Sequence, residues 1–595
     1  MKTIRLLALG LCCLLGLAEQ SLFAQSVAPP HAPEIRAALL SGDELSADLK
    51  FLSELAGPQG VRGWKLLESF LVEIFAGTDT SKPAIFEILV TPTGSDVRAY
   101  FPLQVVPGKP LGENEKKFLR NIDGIGIKSK KLVANFYQLG GGDKEIGGSA
   151  FNGFLRILAA PINYAVIAKK RATLPPNLGD PMKDKVVAAL LAKKFDVGFM
   201  LENPKKDEAS IKARAADFQK VKDELIAGLK QATDALPEEF AVQKAFLNHN
   251  LVEISRFVSE SSVLSLGWTT DAPQKEARLD LELEAIPNSD LDVSAKLLGQ
   301  APGMFSGVPR SKDAILSGRI HFPLDGFRKS NFLGAMPLFR ASADAKIAIS
   351  TGYTDEQKAA RKQAWKVWFD MLTDGVNEGA VDGLIEVSQA TGEKANLLFA
   401  LKAKDGTAVT GILEQLPKIN DGYKVQLDVE KVGEYSIHTV TTPGANEDLE
   451  LLFGKGAPIY VATGPKSWWV AVGSKSLDPL KKAIADSAQP NAALASNFLT
   501  LFYRVGPWLE LVDARRVRLD AKPSDVKLSE ADLKDKKDRA AHRKLALDVL
   551  KEGKDTIETK LDAKSGRVTG STRFDEGILK FIGSEIAKFS NETLK

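Results

Sequence analysis

The strongest constraint on this chain is a self-similarity at a separation near 300 residues. A helical stripe carrying Trp64, Lys65, Leu67, Leu71 and Phe75 is answered by one carrying Trp365, Lys366, Trp368, Leu372 and Val376, each pair 301 positions apart. In both, large apolar residues fall at i, i+3, i+7 and i+11, the spacing that paints one face of a helix. Ala160-Pro161-Ile162 recurs as Ala457-Pro458-Ile459, 297 further on, and Asp180-Pro181 recurs as Asp478-Pro479, 298 further on. An Asp that caps and a Pro that follows it suit a helix start, because the carboxylate accepts from an orphan N–H and proline has none to leave unpaired. Such anchors at near-constant spacing predict a tandem duplication.

Hairpins are expected at 85–106, 263–286, 397–416 and 556–574, with turns near Thr93-Gly94, Ala272-Pro273, Asp405-Gly406 and Ser565-Gly566. Short strands at 195–201, 346–350 and 517–520 are expected before long polar helices at 206–232, 355–390 and 529–551. The fold class read from this pattern is α+β: a duplicated domain whose antiparallel sheets are covered by amphipathic helices. The repeat halves are placed at 34–305 and 320–595, with a Pro/Gly-rich linker at 306–319 and an extended arm at 25–33.

The leader reads as a secretory signal. Lys2 and Arg5 precede an apolar run to Leu17, and Ser21-Leu22-Phe23-Ala24 offers cleavage after Ala24. Cys12 and Cys13, the two cysteines of the chain, fall inside that segment, so the mature protein is expected to carry no disulfide and no thiol. The expected location is the periplasm or the exterior. The formal charge of +3 over 595 residues argues against nucleic acid, which calls for a concentrated basic stripe. No segment of the mature chain has the roughly 18 uninterrupted apolar residues of a membrane span.

Chemistry-bearing motifs are incomplete. The five histidines, His31, His249, His321, His438 and His542, include no pair at helical ligand spacing. The run Asn288 to Asp292 lacks the glycine and glutamate of a calcium loop. Gly147-Gly148-Ser149-Ala150-Phe151 lacks the last glycine of a nucleophile elbow, and Ser524-x-x-Lys527 has no companion motif. Gly124-Ile125-Gly126 lacks the third glycine of a dinucleotide fingerprint. No catalytic residue, metal ligand or cofactor is therefore assigned.

Adjacent tryptophans remain as binding candidates. Trp468 and Trp469 lie in an expected strand, so alternation sends them to opposite faces. Either both faces are covered, or the open one marks a ligand or partner surface. The strand Ser467 to Gly473 running into Ser476 to Ala483, with the closing Asp575 to Phe581, resembles a loosely defined group of uncharacterised exported bacterial proteins with duplicated strand-helix-hairpin units. The resemblance implies export and no activity. The function expected is a non-catalytic exported protein that binds an apolar ligand or a partner protein of the envelope. The alternatives are a hydrolase assembled from distant residues and a structural envelope component.

Overall fold

The computed structural model describes residues 31–594 apart from 92–93, 106–111, 125–126, 141–144, 147–148, 151, 233–234, 391, 443–446 and 521–528. The leader 1–24, most of the arm and the Ser524-x-x-Lys527 pattern lie outside the described residues, as do Thr93, Ile125, Gly126, Gly147, Gly148 and Phe151. The chain divides into two compact units. The first comprises residues through Asp217 with Phe257–Ile286 and Arg573–Lys595; the second comprises Phe218–Arg256 and Pro287–Thr572.

In the first unit the strands of the main sheet are β1 (Glu34–Leu39), β2 (Ala84–Thr91), β3 (Gly94–Pro102), β4 (Ser129–Val133), β5 (Phe136–Leu139), β6 (Gly153–Leu158), β7 (Tyr164–Ala168), β8 (Val197–Glu202), β9 (Ser261–Asp271) and β10 (Glu276–Ala285). They pair antiparallel in the order β4-β5-β6-β7-β3-β2-β1-β8-β9-β10. The second unit contains β11 (Ala314–Pro323), β12 (Ala380–Ser388), β13 (Asn396–Lys402), β14 (Lys424–Val432), β15 (Tyr435–Thr441), β16 (Ile459–Thr463), β17 (Ser467–Val472), β18 (Asn497–Arg504) and β19 (Thr556–Lys564). Their order is β14-β15-β16-β17-β13-β12-β11-β18-β19, again antiparallel throughout. Strand β20 (Arg567–Phe574) follows across a two-residue turn in which Ser565 and Gly566 both have positive φ, the backbone that suits a tight hairpin. Each strand of the second order stands ten places after its counterpart in the first. The fold is α+β and the strand order is duplicated.

The helices follow the same plan. Between the first two strands of each set stands a helix pair: α1 (Gly42–Leu55) and α2 (Pro58–Ile74), then α8 (Gly326–Ile349) and α9 (Asp355–Asn377). Between them in sequence come α3 (Gly112–Gly124), α4 (Lys185–Ala192), α5 (Glu208–Gly228), α6 (Pro237–Glu260) and α7 (Asp290–Leu298). The second series continues with α10 (Val409–Leu413), α11 (Leu416–Ile419), α12 (Glu447–Phe453), α13 (Leu477–Ser487), α14 (Val505–Asp520), α15 (Glu530–Leu550) and the closing α16 (Glu576–Thr593). Trp64 lies on α2 and Trp365 on α9, the same place in the two series. The stripe therefore marks equivalent helices.

Several expectations are corrected. Ala160-Pro161-Ile162 forms the β6–β7 turn, whereas Ala457-Pro458 leads into β16, the counterpart of β6, so this recurrence does not mark equivalent positions. Asp180 caps a 3-10 turn and Asp184 caps α4, while Asp478 sits in the first turn of α13 behind Ser476. The segment 346–350 belongs to the end of α8 and 517–520 to α14, not to strands; only 195–201 approximates one, β8. Residues 397–416 form no hairpin. Strand β13 pairs with β12 and β17, and the Asp405 side chain accepts from Thr407 N to start a 3-10 turn. Strand β11 begins at Ala314, inside the expected 306–319 linker, and Phe305 and Val308 just before it are core residues. The closing helices also cross the expected halves: α7, within 34–305, belongs to the second unit, and α16, within 320–595, belongs to the first.

Candidate functional site

The two tryptophans singled out by the sequence do alternate across β17, and helices cover both. Trp469 is 0% exposed and Trp468 7%. Small residues make the space for the first indole, since Ala400 of β13 and Ala462 of β16 stand directly opposite Trp469. Its ring meets Phe305 edge-on at 5.2 Å, Leu480 and Ile484 of α13 pack in the same cluster, and its Nε1 donates to Ser467 Oγ at 3.1 Å. On the other face Trp468 packs with Met371 of α9 and with Val409 and Leu413 of α10. Trp368 stands edge-on to it at 5.5 Å, and Phe399 lies at 5.3 Å. Neither indole forms an open surface.

Immediately above Trp468 there is one. A cleft of about 600 Å³ runs between α8 and α9, lined by Met336, Phe339, Ala343 and Ile347 from α8 and by Trp365, Trp368, Phe369 and Leu372 from α9. Both sets repeat at i, i+3 and i+7, so each helix turns a stripe into the cleft. Local chemistry fixes the walls. Thr354 and Gln357 form a reciprocal capping box at the start of α9. Asp325 caps α8 through Arg328 N at 2.8 Å and also accepts from Ser294 and from Arg256 of α6. Arg328 in turn holds Glu253 of α6 through two bonds of 2.9 Å. Burial alone would raise the Asp325 carboxyl, but these hydrogen bonds and the two guanidinium groups outweigh it and hold its pKa below the ordinary value.

The charged groups that line the cleft share one sign. Lys346 and Arg361 line it and no carboxylate does. Arg361 stacks over the Tyr353 ring at 3.7 Å, and its Nε is buried without a hydrogen-bond partner. Lys346 reaches Glu239 at 2.6 Å while remaining largely exposed. Trp365 stacks on Phe369 at 5.5 Å and leaves 43% of its surface open. Leaving so much indole in water forgoes burial worth about 25 cal/mol per Å². The arrangement can bind an apolar body with an anionic end.

The site closest to enzyme geometry is in the same unit. His321 of β11 and Asp382 of β12 are register partners, with Nδ1 and Oδ1 3.0 Å apart. The adjoining cavity is about 30 Å³, room for a single water and for no substrate. Ser306 lines it, but the Ser306 hydroxyl accepts from Asn491 N, and among the described residues no hydroxyl bonds His321. Among the described residues this histidine–carboxylate pair thus has neither an adjoining nucleophile nor a substrate-sized cavity. Among the described residues no three His, Cys, Asp or Glu side chains converge as a metal ion would require. No helix among them is long and apolar enough to cross a membrane.

No family model, curated protein or solved structure matches the chain. The site therefore rests on its own geometry. Sequence reasoning finds Trp365 and Trp368 as a repeat anchor and misses their role as a lining. The missing signal is the Met336, Phe339, Ala343, Ile347 stripe, obscured because 346–350 reads as strand.

Proposed function

We propose that this is a non-catalytic binding protein whose α8–α9 cleft takes an apolar ligand, or the apolar surface of a partner, that carries negative charge. The observation behind the reading is an open aromatic cleft whose charged lining residues, Lys346 and Arg361, are both cations. Export, read from the basic and apolar leader ending at Ala24, would place this activity in the periplasm or outside the cell. The test is a titration with anilinonaphthalene sulfonate, an apolar anion whose fluorescence rises on burial. One saturable site per native chain is expected, lost when Ala343→Trp fills the cleft. Binding that is unchanged in Ala343→Trp would overturn the assignment.

A further inference from the structure

The chain contains two copies of this groove, and it fills one of them itself. In the first unit α16 lies against both α1 and α2. Ile586 of α16, and Leu594 just past it, join the cluster of Trp64, Leu67 and Leu71, and Leu579 is buried beside Leu52. The helices are close enough that a Cβ on Gly63 would stand 2.8 Å from Ala587 Cα, and one on Gly583 would stand 1.8 Å from the Leu52 carbonyl oxygen. In the second unit the residues 301 positions on, Trp365, Trp368 and Leu372, are the lining of the open cleft. The helix that follows the last hairpin of the first series is α7, with nine residues against the eighteen of α16. It packs on β19 and β11 and ends there.

Resting on the binding function assigned above, we propose that the α8–α9 groove is the docking site for an acidic amphipathic helix of a partner protein, seated as α16 is seated on α1 and α2. The covered groove shows that a helix is the shape this element pair accepts. The charge selects an acidic one, because the charged side chains that line the groove, Lys346 and Arg361, are both cations and no carboxylate lines it. Its packing differs from that of α16 in one respect. Ala364 stands where the first unit has Gly63, whose Cβ would meet Ala587 of α16, so the incoming helix rides further out. Side chains of Leu or Phe size fill the volume that Gly583 and Ala587 leave narrow in the other copy.

The test uses the mature full-length chain and three probes: an 18-residue peptide with Leu and Phe on one helical face and Glu on the other, the same peptide with every Glu replaced by Lys, and sodium dodecanoate. The acidic peptide is expected to bind one to one, to become helical on binding, and to weaken with added salt. Trp365→Ala is expected to raise its Kd about tenfold or more, the loss typical of a central aromatic anchor. Arg361→Glu serves as the second variant, decisive if Trp365→Ala perturbs folding. Equal binding of the two peptides, or binding that survives both substitutions, would overturn the proposal. Dodecanoate binding without peptide binding would overturn the helix while leaving the apolar-ligand reading intact. Binding of neither would overturn both.

Discussion

Equivalent helix pairs in the two units meet different fates. The α1–α2 pair is capped by α16 and its Trp64 is 5% exposed, whereas the α8–α9 pair is open and Trp365 keeps 43% of its surface in water. The same stripe thus serves as core in one unit and as a surface in the other. In the first unit the eighteen-residue α16 covers the pair, whereas the nine-residue α7 of the second unit packs on β19 and β11.

The sharpest way to break the comparison is to truncate the equivalent indoles. Trp64→Ala removes a buried side chain from a packed cluster and should cost about 3–5 kcal/mol. Trp365→Ala removes a half-open one and should cost less than about 1.5 kcal/mol. Denaturant melts of the two variants that gave equal losses would show that the grooves are equally covered.

Glycine contacts sharpen the comparison at the level of helix approach. A Cβ at Gly583 meets the Leu52 carbonyl oxygen, so Gly583→Ala should destabilise by about 1–3 kcal/mol. A Cβ on Gly375 of α9 would meet nothing within 4 Å beyond its own helix, so Gly375→Ala should be neutral or stabilise by up to about 1 kcal/mol through helix propensity. Opposite signs in thermal melts are the expected result, and a loss at Gly375 would mean that α9 is packed on that side.

The two units also differ in pH dependence, where the sign of the effect is opposite. In the first, burial and the neighbouring Asp196 carboxyl push Asp48 of α1 from 3.8 up to about 7. The folded form then binds more protons than the unfolded one, so this group's contribution to stability falls as pH rises between those values and stays level above them. In the second, the lowered pKa of Asp325 gives a contribution that is present above the ordinary carboxylate range and lost as pH falls through it. Asp48→Asn should therefore melt higher than the parent at pH 8 and lose that advantage near pH 4. An advantage of the same size at both values would remove Asp48 as the titrating group.

Much of the architecture is legible because its signals are local. The i, i+3, i+7 stripe on α2 and α9 and the positive-φ turn at Ser565-Gly566 depend on residues a few positions apart, and the structure keeps both. The Ala-Pro-Ile recurrence misleads because a proline suits a turn and a strand entry equally, and only pairing reveals which it serves. The strand readings at 346–350 and 517–520 fail for a related reason. Both are segments of four or five residues at helix ends, too short to tell period 2 from period 3.6.

The amino-acid sequence by itself determined that the chain is an α+β duplication, that α2 and α9 each carry one apolar face, and that Trp468 and Trp469 point to opposite sides of a strand. Only the tertiary structure decided which faces are covered: Trp468 by α9 and α10, Trp469 by α13, and Trp64 by a helix that begins at Glu576. Periodicity records which side of an element avoids water. What lies on that side is set by contacts between residues hundreds of positions apart, and no local pattern carries that information.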